Sequence, residues 1–156
     1  MIFATVGTQL PFPRLIQYLE NISIKHNLHI VAQTAQENDP RSAIKYYNHL
    51  TPEMFDNYAR ECDCIVSHAG IGTIITAQKY VKPLIVMPRK AALHEHRNDH
   101  QLATVRELGS STGIYIADSE SEIEALLLRN DLSPVRNTDS KQRDRVICAI
   151  QQFIDA

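Results

Sequence analysis

Apolar residues along the chain fall into short continuous runs, "MIFATV", "LHIVAQT", "CDCIVS", "PLIVMP" and "GIYIA", separated by longer stretches of mixed character. Runs this short and this uniformly apolar predict strands buried on both faces. The stretches between them read as helices. In "PFPRLIQYLENISIKH", Leu15, Ile16, Leu19 and Ile22 recur at helical spacing. In "TPEMFDNYARE", Thr51 stands at the cap and Pro52 at the first helical position. A helix is predicted after Gly72, another in "HEHRNDHQLATVRELG" ending at Gly109, and another in "SESEIEALLLRN"; "AIKYYNHL" reads as a further strand. Alternation of this kind predicts an α/β, doubly wound, Rossmann-like parallel sheet with helices on both faces, whose ligands sit at the carboxyl ends of the strands.

Composition narrows the partners. A chain of 156 residues with 44% hydrophobic side chains predicts a single domain over 1–156. A net charge of −2 with both signs interspersed gives no basic stripe, so no nucleic acid partner is expected. No apolar stretch approaches the roughly 20 residues that span a bilayer, and the opening "MIFATVGTQ" has no basic n-region or cleavage site, which predicts a cytoplasmic protein. Three cysteines suit a reducing compartment; Cys62 and Cys64 read either as buried thiols or as half of a metal site. The terminal segment 138–156 predicts an amphipathic helix, with Val146, Ile147, Ile150, Phe153 and Ile154 on one face, able to pack on its own domain or on a partner.

Three loops at the predicted carboxyl edge carry the candidate chemistry. In "VGTQ", Gly7 permits a tight turn, needed for the turn alone or for a ligand, and Thr8 and Gln9 supply hydrogen-bonding groups. "SHAGIGT" places His68, Gly70, Gly72 and Thr73 at a strand-to-helix junction, where unpaired N–H groups and the helix dipole favour phosphate oxygens. It has neither the GxGxxG spacing nor the lysine of a P-loop. "MPRKAALHEHRNDHQ" gathers Arg89, Lys90, His94, Glu95, His96, Arg97, Asn98, Asp99, His100 and Gln101. It reads as a solvated helix start, as a metal site of His94, His96 and His100, or as a polar collar around a sugar and its diphosphate.

Together, "TVGTQLPFPRLI", "SHAGIGT", "KPLIVMPR" and "EHRNDHQLAT" resemble the small soluble subunit of two-component UDP-sugar transferases, proteins with a glycosyltransferase family 28 C-terminal domain, and in particular the bacterial exopolysaccharide subunits. The resemblance spans about the first 110 residues. It implies the C-terminal, donor-binding half of a GT-B fold. It implies inverting transfer of glucuronate or a hexose from a UDP-sugar to a lipid-diphosphate-linked saccharide, without a metal or other cofactor.

Residue by residue, the resemblance turns Gly7, Thr8 and Gln9 toward the diphosphate and makes Gly70, Gly72 and Thr73 its cradle, with His68 in hydrogen-bonding reach. Leu50 and Thr51 would frame the uracil. His100 and Gln101 would hold the sugar hydroxyls beside Asn98 and Asp99. Arg89 or Arg97 would neutralise the leaving diphosphate, and His68, Arg97 and Asp99 are the candidate catalytic side chains. Many GT-B enzymes grip the ribose with a glutamate where this chain has Thr76. The general base and the acceptor site are expected from a membrane-anchored partner subunit that recruits this chain to the cytoplasmic face of the membrane. The alternative is a non-catalytic, stimulating subunit of such a transferase; a sugar-nucleotide epimerase is a more remote one. Arg89, Lys90 and Arg97 tilt the expected donor toward UDP-glucuronate.

Overall fold

The structure, a computed structural model, describes residues 1–37, 39–108, 111–136, 144 and 148. Six strands form one parallel sheet: β1 (Ile2–Thr5), β2 (Ile30–Gln33), β3 (Lys45–Tyr47), β4 (Cys64–His68), β5 (Leu84–Met87) and β6 (Ile114–Ile116), in the order β3-β2-β1-β4-β5-β6. The helices are α1 (Pro13–His26), α2 (Pro52–Glu61), α3 (Ile71–Tyr80), α4 (His100–Leu108) and α5 (Glu120–Leu127), with a short 3-10 turn at Ala91–Leu93.

Alternate residues of each central strand feed opposite cores. Ile2, Ala4, Val66 and Ile85 pack with Leu15 and Leu19 of α1 and Ile123 of α5. Phe3, Ile65, Leu84 and Val86 pack with Ala59 of α2, Ile74 of α3 and Val105 of α4. This two-sided burial is why the strands read as unbroken apolar runs. The two cysteines part because Cys62 is the C-cap of α2 and only Cys64 belongs to β4: Cys62 lies in the core under α2 and Cys64 in the other. Burial pushes the Cys62 thiol up to about 11 and the Cys64 thiol up to about 12, so they are inert interior thiols rather than a chelating pair.

Local signals set the helix boundaries. Pro13 opens α1, and Asn27 closes it in the left-handed region, its N–H donating to the Ser23 carbonyl. Thr51 caps α2, its hydroxyl accepting from the Met54 N–H, with Pro52 in the first turn. Three expectations are corrected. The third strand covers only Lys45–Tyr47 rather than 43–50, and no helix separates it from β2. The helix of the glycine loop begins at Ile71, so Gly72 lies within its first turn. The expected helix stop at Gly109 and the terminal helix over 138–156 fall outside the described residues, apart from Asp144 and Cys148, both exposed. Among the described residues no helix is long and apolar enough to cross a membrane.

Candidate functional site

From β1 the chain builds outward to β2 and β3, then returns to place β4 on the other side of β1. The loops leaving β1 and β4 therefore diverge at the carboxyl edge and open a crevice between them. A cleft of about 670 Å³ lies there. Its floor is the Gly7 turn, His68 and the start of α3, one end is walled by Leu50, Pro52 and Phe55, and the other by His96, His100, Gln101 and Thr104.

The floor is dominated by a bare helix terminus. Gly70 is the N-cap residue of α3 and offers no side chain to the first N–H groups of the helix. Gly72 in the first turn leaves open space, because an added Cβ would meet no protein atom within 4 Å. A glycine in a helix costs about 1 kcal/mol relative to alanine, and neither packing nor backbone angle requires one here. The unpaired N–H groups and the positive end of the dipole thus face the cleft unobstructed, as an anion needs.

His68, at the end of β4, lies under this surface. Its imidazole fits between two glycines: a Cβ on Gly70 would stand 2.3 Å from Nε2, and one on Gly7, whose φ is +82°, would stand 3.1 Å from Cε1. Burial, reinforced by the charges of Arg89 and His96 against the opposing pull of the Thr5 backbone, lowers its pKa to about 4. At neutral pH it is an uncharged ring with one N–H to donate.

Arg89 is corrected from anion clamp to scaffold. One terminal nitrogen donates to the carbonyls of Pro11 (2.6 Å) and Glu95 (3.3 Å), the other to those of Val6 (3.0 Å) and Leu10 (2.6 Å), and the guanidinium stacks over the Phe12 ring. The residue is 2% exposed. Its work is to hold the segment after Gly7 against the loop after β5.

That loop carries the remaining candidates, and only part of it reaches the cleft. Gln101 accepts the Arg89 backbone N–H through Oε1 at 3.0 Å, and it lines the cleft with His100. Asn98 and Asp99 instead fold the loop: Asn98 Oδ1 accepts from the His100 N–H and Asp99 Oδ1 from the Ala91 N–H. Arg97 is exposed, and neither it nor Asp99 lines the cleft. Among the described residues no three His, Cys, Asp or Glu side chains gather as metal ligands, and His94 closes the 3-10 turn in the left-handed region.

At the apolar end, Leu50 lines the cleft, whereas Thr51 spends its hydroxyl on the α2 cap and does not. Thr8, Gln9, Thr73 and Thr76 all line it, with the Thr76 hydroxyl donating to the Gly72 carbonyl at 2.9 Å.

Two structural supports escape sequence reading. Gln33, 2% exposed at the end of β2, donates to the Gly7 carbonyl at 3.1 Å and accepts the Leu50 N–H at 2.9 Å, tying the floor to the apolar wall. Glu95 takes a two-pronged ion pair from Arg14 at 2.6 and 2.8 Å and accepts the Lys90 N–H at 2.9 Å. A polar amide ending an apolar parallel strand was a visible signal for Gln33; nothing local marks Glu95.

Comparison with solved structures supports this topology. Over 97% of its length the chain superposes on the glycotransferase of kitacinnamycin, with a TM-score of 0.58 and 16% identity, and covers 38% of that chain. It superposes on Acinetobacter baumannii MurG with a TM-score of 0.60 and 18% identity over 96% of its length, covering 44% of MurG. With ALG13, determined in solution by NMR, the TM-score is 0.60 at 18% identity and 93% of each chain is covered. The chain thus spans less than half of the larger glycosyltransferases and nearly all of the small one. No curated protein matches. The fold is that of the C-terminal domain of GT-B glycosyltransferases, and with its family model matching residues 1–153 the chain belongs to the glycosyltransferase family 28 C-terminal domain family.

Proposed function

We propose that this chain is the donor-binding, catalytic subunit of an inverting glycosyltransferase that uses a UDP-sugar, and that it works with a membrane-anchored partner that binds a lipid-diphosphate-linked acceptor in exopolysaccharide synthesis. The observation that carries this reading is the uncapped start of α3, opened by Gly70 and Gly72 at the crevice between β1 and β4. A diphosphate fits that floor, a nucleoside base the apolar wall of Leu50, Pro52 and Phe55, and a sugar the polar wall of His96, His100 and Gln101. The glycosyltransferase VinC, solved with dTDP, supports the nucleotide part by analogy.

In the reaction the acceptor oxygen bonds to the anomeric carbon as the bond from that carbon to the diphosphate oxygen breaks, and the acceptor proton passes to a base on the partner. Charge accumulates on the departing diphosphate. The α3 N–H groups and its dipole already face the floor where that charge would gather, with the neutral imidazole of His68 beside them, so they stabilise it without reorganising. The Arg89 scaffold holds the Gly7 turn against this floor.

Calorimetric titration with UDP tests the assignment, with NAD as a control and Gly72→Asp as the site variant. UDP binds the native chain and NAD does not. The variant loses binding by 100-fold or more while keeping its fold, because a carboxylate in the first turn occupies the anion position and satisfies the helix dipole itself. Unaltered UDP affinity in the variant would remove the site from α3.

A further inference from the structure

The charge distribution of the cleft bears on the sugar. In the sequence, Arg89, Lys90 and Arg97 sit close enough together to suggest recognition of a uronic acid. In the fold Lys90 and Arg97 do not line the cleft, and Arg89, which does, turns its terminal nitrogens to backbone carbonyls. Four of the five N–H groups that a guanidinium carries are committed by Arg89 to carbonyls. The Lys90 ammonium pairs with Asp118 at 2.6 Å, and Arg97 lies outside the wall. Arg14, the other cation near the loop, is paired with Glu95.

Among the described residues, the side chains lining the polar end besides the carbonyl-bound Arg89 are amides, hydroxyls and imidazoles: Gln9, His96, His100, Gln101 and Thr104. Such groups match the alternating donors and acceptors of sugar hydroxyls. A sugar carboxylate in the same place would lose its hydration and gain no ion pair or two-pronged arginine contact in return. The Gln101 side-chain oxygen is already engaged with the Arg89 backbone N–H, which fixes the amide orientation and leaves its NH2 group as a donor. Specificity then comes from the missing partner as much as from the contacts made.

We infer that the donor sugar is neutral, a hexose or an N-acetylhexosamine, and that the site discriminates against uronic acids. This rests on the nucleotide-sugar reading above. Titrations of the whole chain with UDP, UDP-glucose, UDP-galactose, UDP-N-acetylglucosamine and UDP-glucuronate at pH 8, where an ordinary imidazole is uncharged, separate the two claims. The expected result is that at least one neutral sugar nucleotide binds ten-fold or more tighter than UDP-glucuronate.

UDP binding with equal or tighter affinity for UDP-glucuronate would overturn the neutral-sugar assignment alone. Failure to bind UDP at all would sink the nucleotide reading and this inference with it. Thr104→Arg supplies the absent cation on the α4 face of the cleft and is expected to narrow or reverse the discrimination. A variant that keeps native UDP affinity yet gains nothing for UDP-glucuronate would show that the sugar does not lie at this end.

Discussion

A methyl group added to Gly70 would stand 2.3 Å from Nε2 of His68, although the backbone there, at φ −98° and ψ 140°, suits any residue. The glycine is demanded by the ring, not by the turn. Gly70→Ala should therefore destabilise the fold by about 1–3 kcal/mol through overpacking. In a His68→Ala background the same change should cost less than about 0.5 kcal/mol, and chemical denaturation of the four proteins measures the coupling. The protonation of His68 has its own consequence. With a folded pKa of about 4 against an unfolded value near 6.5, the unfolded chain binds the proton more readily between those pH values. The neutral ring is thus tolerated fully above pH 6.5, and stability falls as the pH drops toward 4, with no further loss from this group below that. The contribution is of order 2–3 kcal/mol. Urea midpoints at pH 7.5 and 4.5 should differ more for the native chain than for His68→Asn.

The loop after β5 illustrates how an element is positioned by a pair of charges far apart in sequence. Glu95 and Arg14 are both largely sheltered, with side chains 9% and 17% exposed, and their two-pronged contact pins the loop to α1. Replacing Glu95 with alanine leaves the Arg14 guanidinium only its longer contacts to Asp118 and Pro88 and orphans the Lys90 N–H, a loss of about 1–3 kcal/mol. Because the loop walls only one end of the cleft, Glu95→Ala should weaken binding of a UDP-hexose several-fold more than binding of UDP, a difference that paired titrations read directly. This pair also marks the limit of what the sequence discloses. Elements specified locally were legible: the Thr51 cap with Pro52, the two-sided apolar strands, and the glycine junction after β4. The partners of Arg89 and Glu95 were not, because carbonyls of residues 6, 10 and 11 and a guanidinium at 14 approach them only once β1 and β5 share an edge of the sheet. A run of polar residues names the hydrogen-bonding groups but not which are spent on the loop itself. Asn98, Asp99 and Arg89 therefore read as ligand contacts, yet Asn98 and Asp99 are spent on the loop and the Arg89 guanidinium on carbonyls, whereas Gln101 both braces the loop and lines the cleft.

At the scale of the molecule, the cleft is furnished for binding a donor and sparsely for activating an acceptor. Asp56 is the one carboxylate lining it among the described residues, and it stands beside Phe55 at the apolar end, ion-paired with Lys79 at 3.3 Å. Leu10, which lines the cleft on the loop after β1, is 46% exposed, and Leu93, on the loop after β5, is 51% exposed. Transfer needs the acceptor hydroxyl deprotonated as it attacks, and it needs water kept from the same carbon. On the proposed function, this chain supplies the leaving-group stabilisation and the partner supplies both of these. The isolated chain should therefore bind a UDP-hexose yet release UDP from it no faster than the uncatalysed background, with lipid-linked acceptor present or absent. On that reading, co-purification with the membrane-anchored partner proposed above should raise UDP release by several orders of magnitude and make it depend on acceptor. A coupled assay for free UDP distinguishes the cases. Turnover by the chain alone, abolished in Gly72→Asp, would mean that the base lies on this chain and that the partner serves only to choose the acceptor.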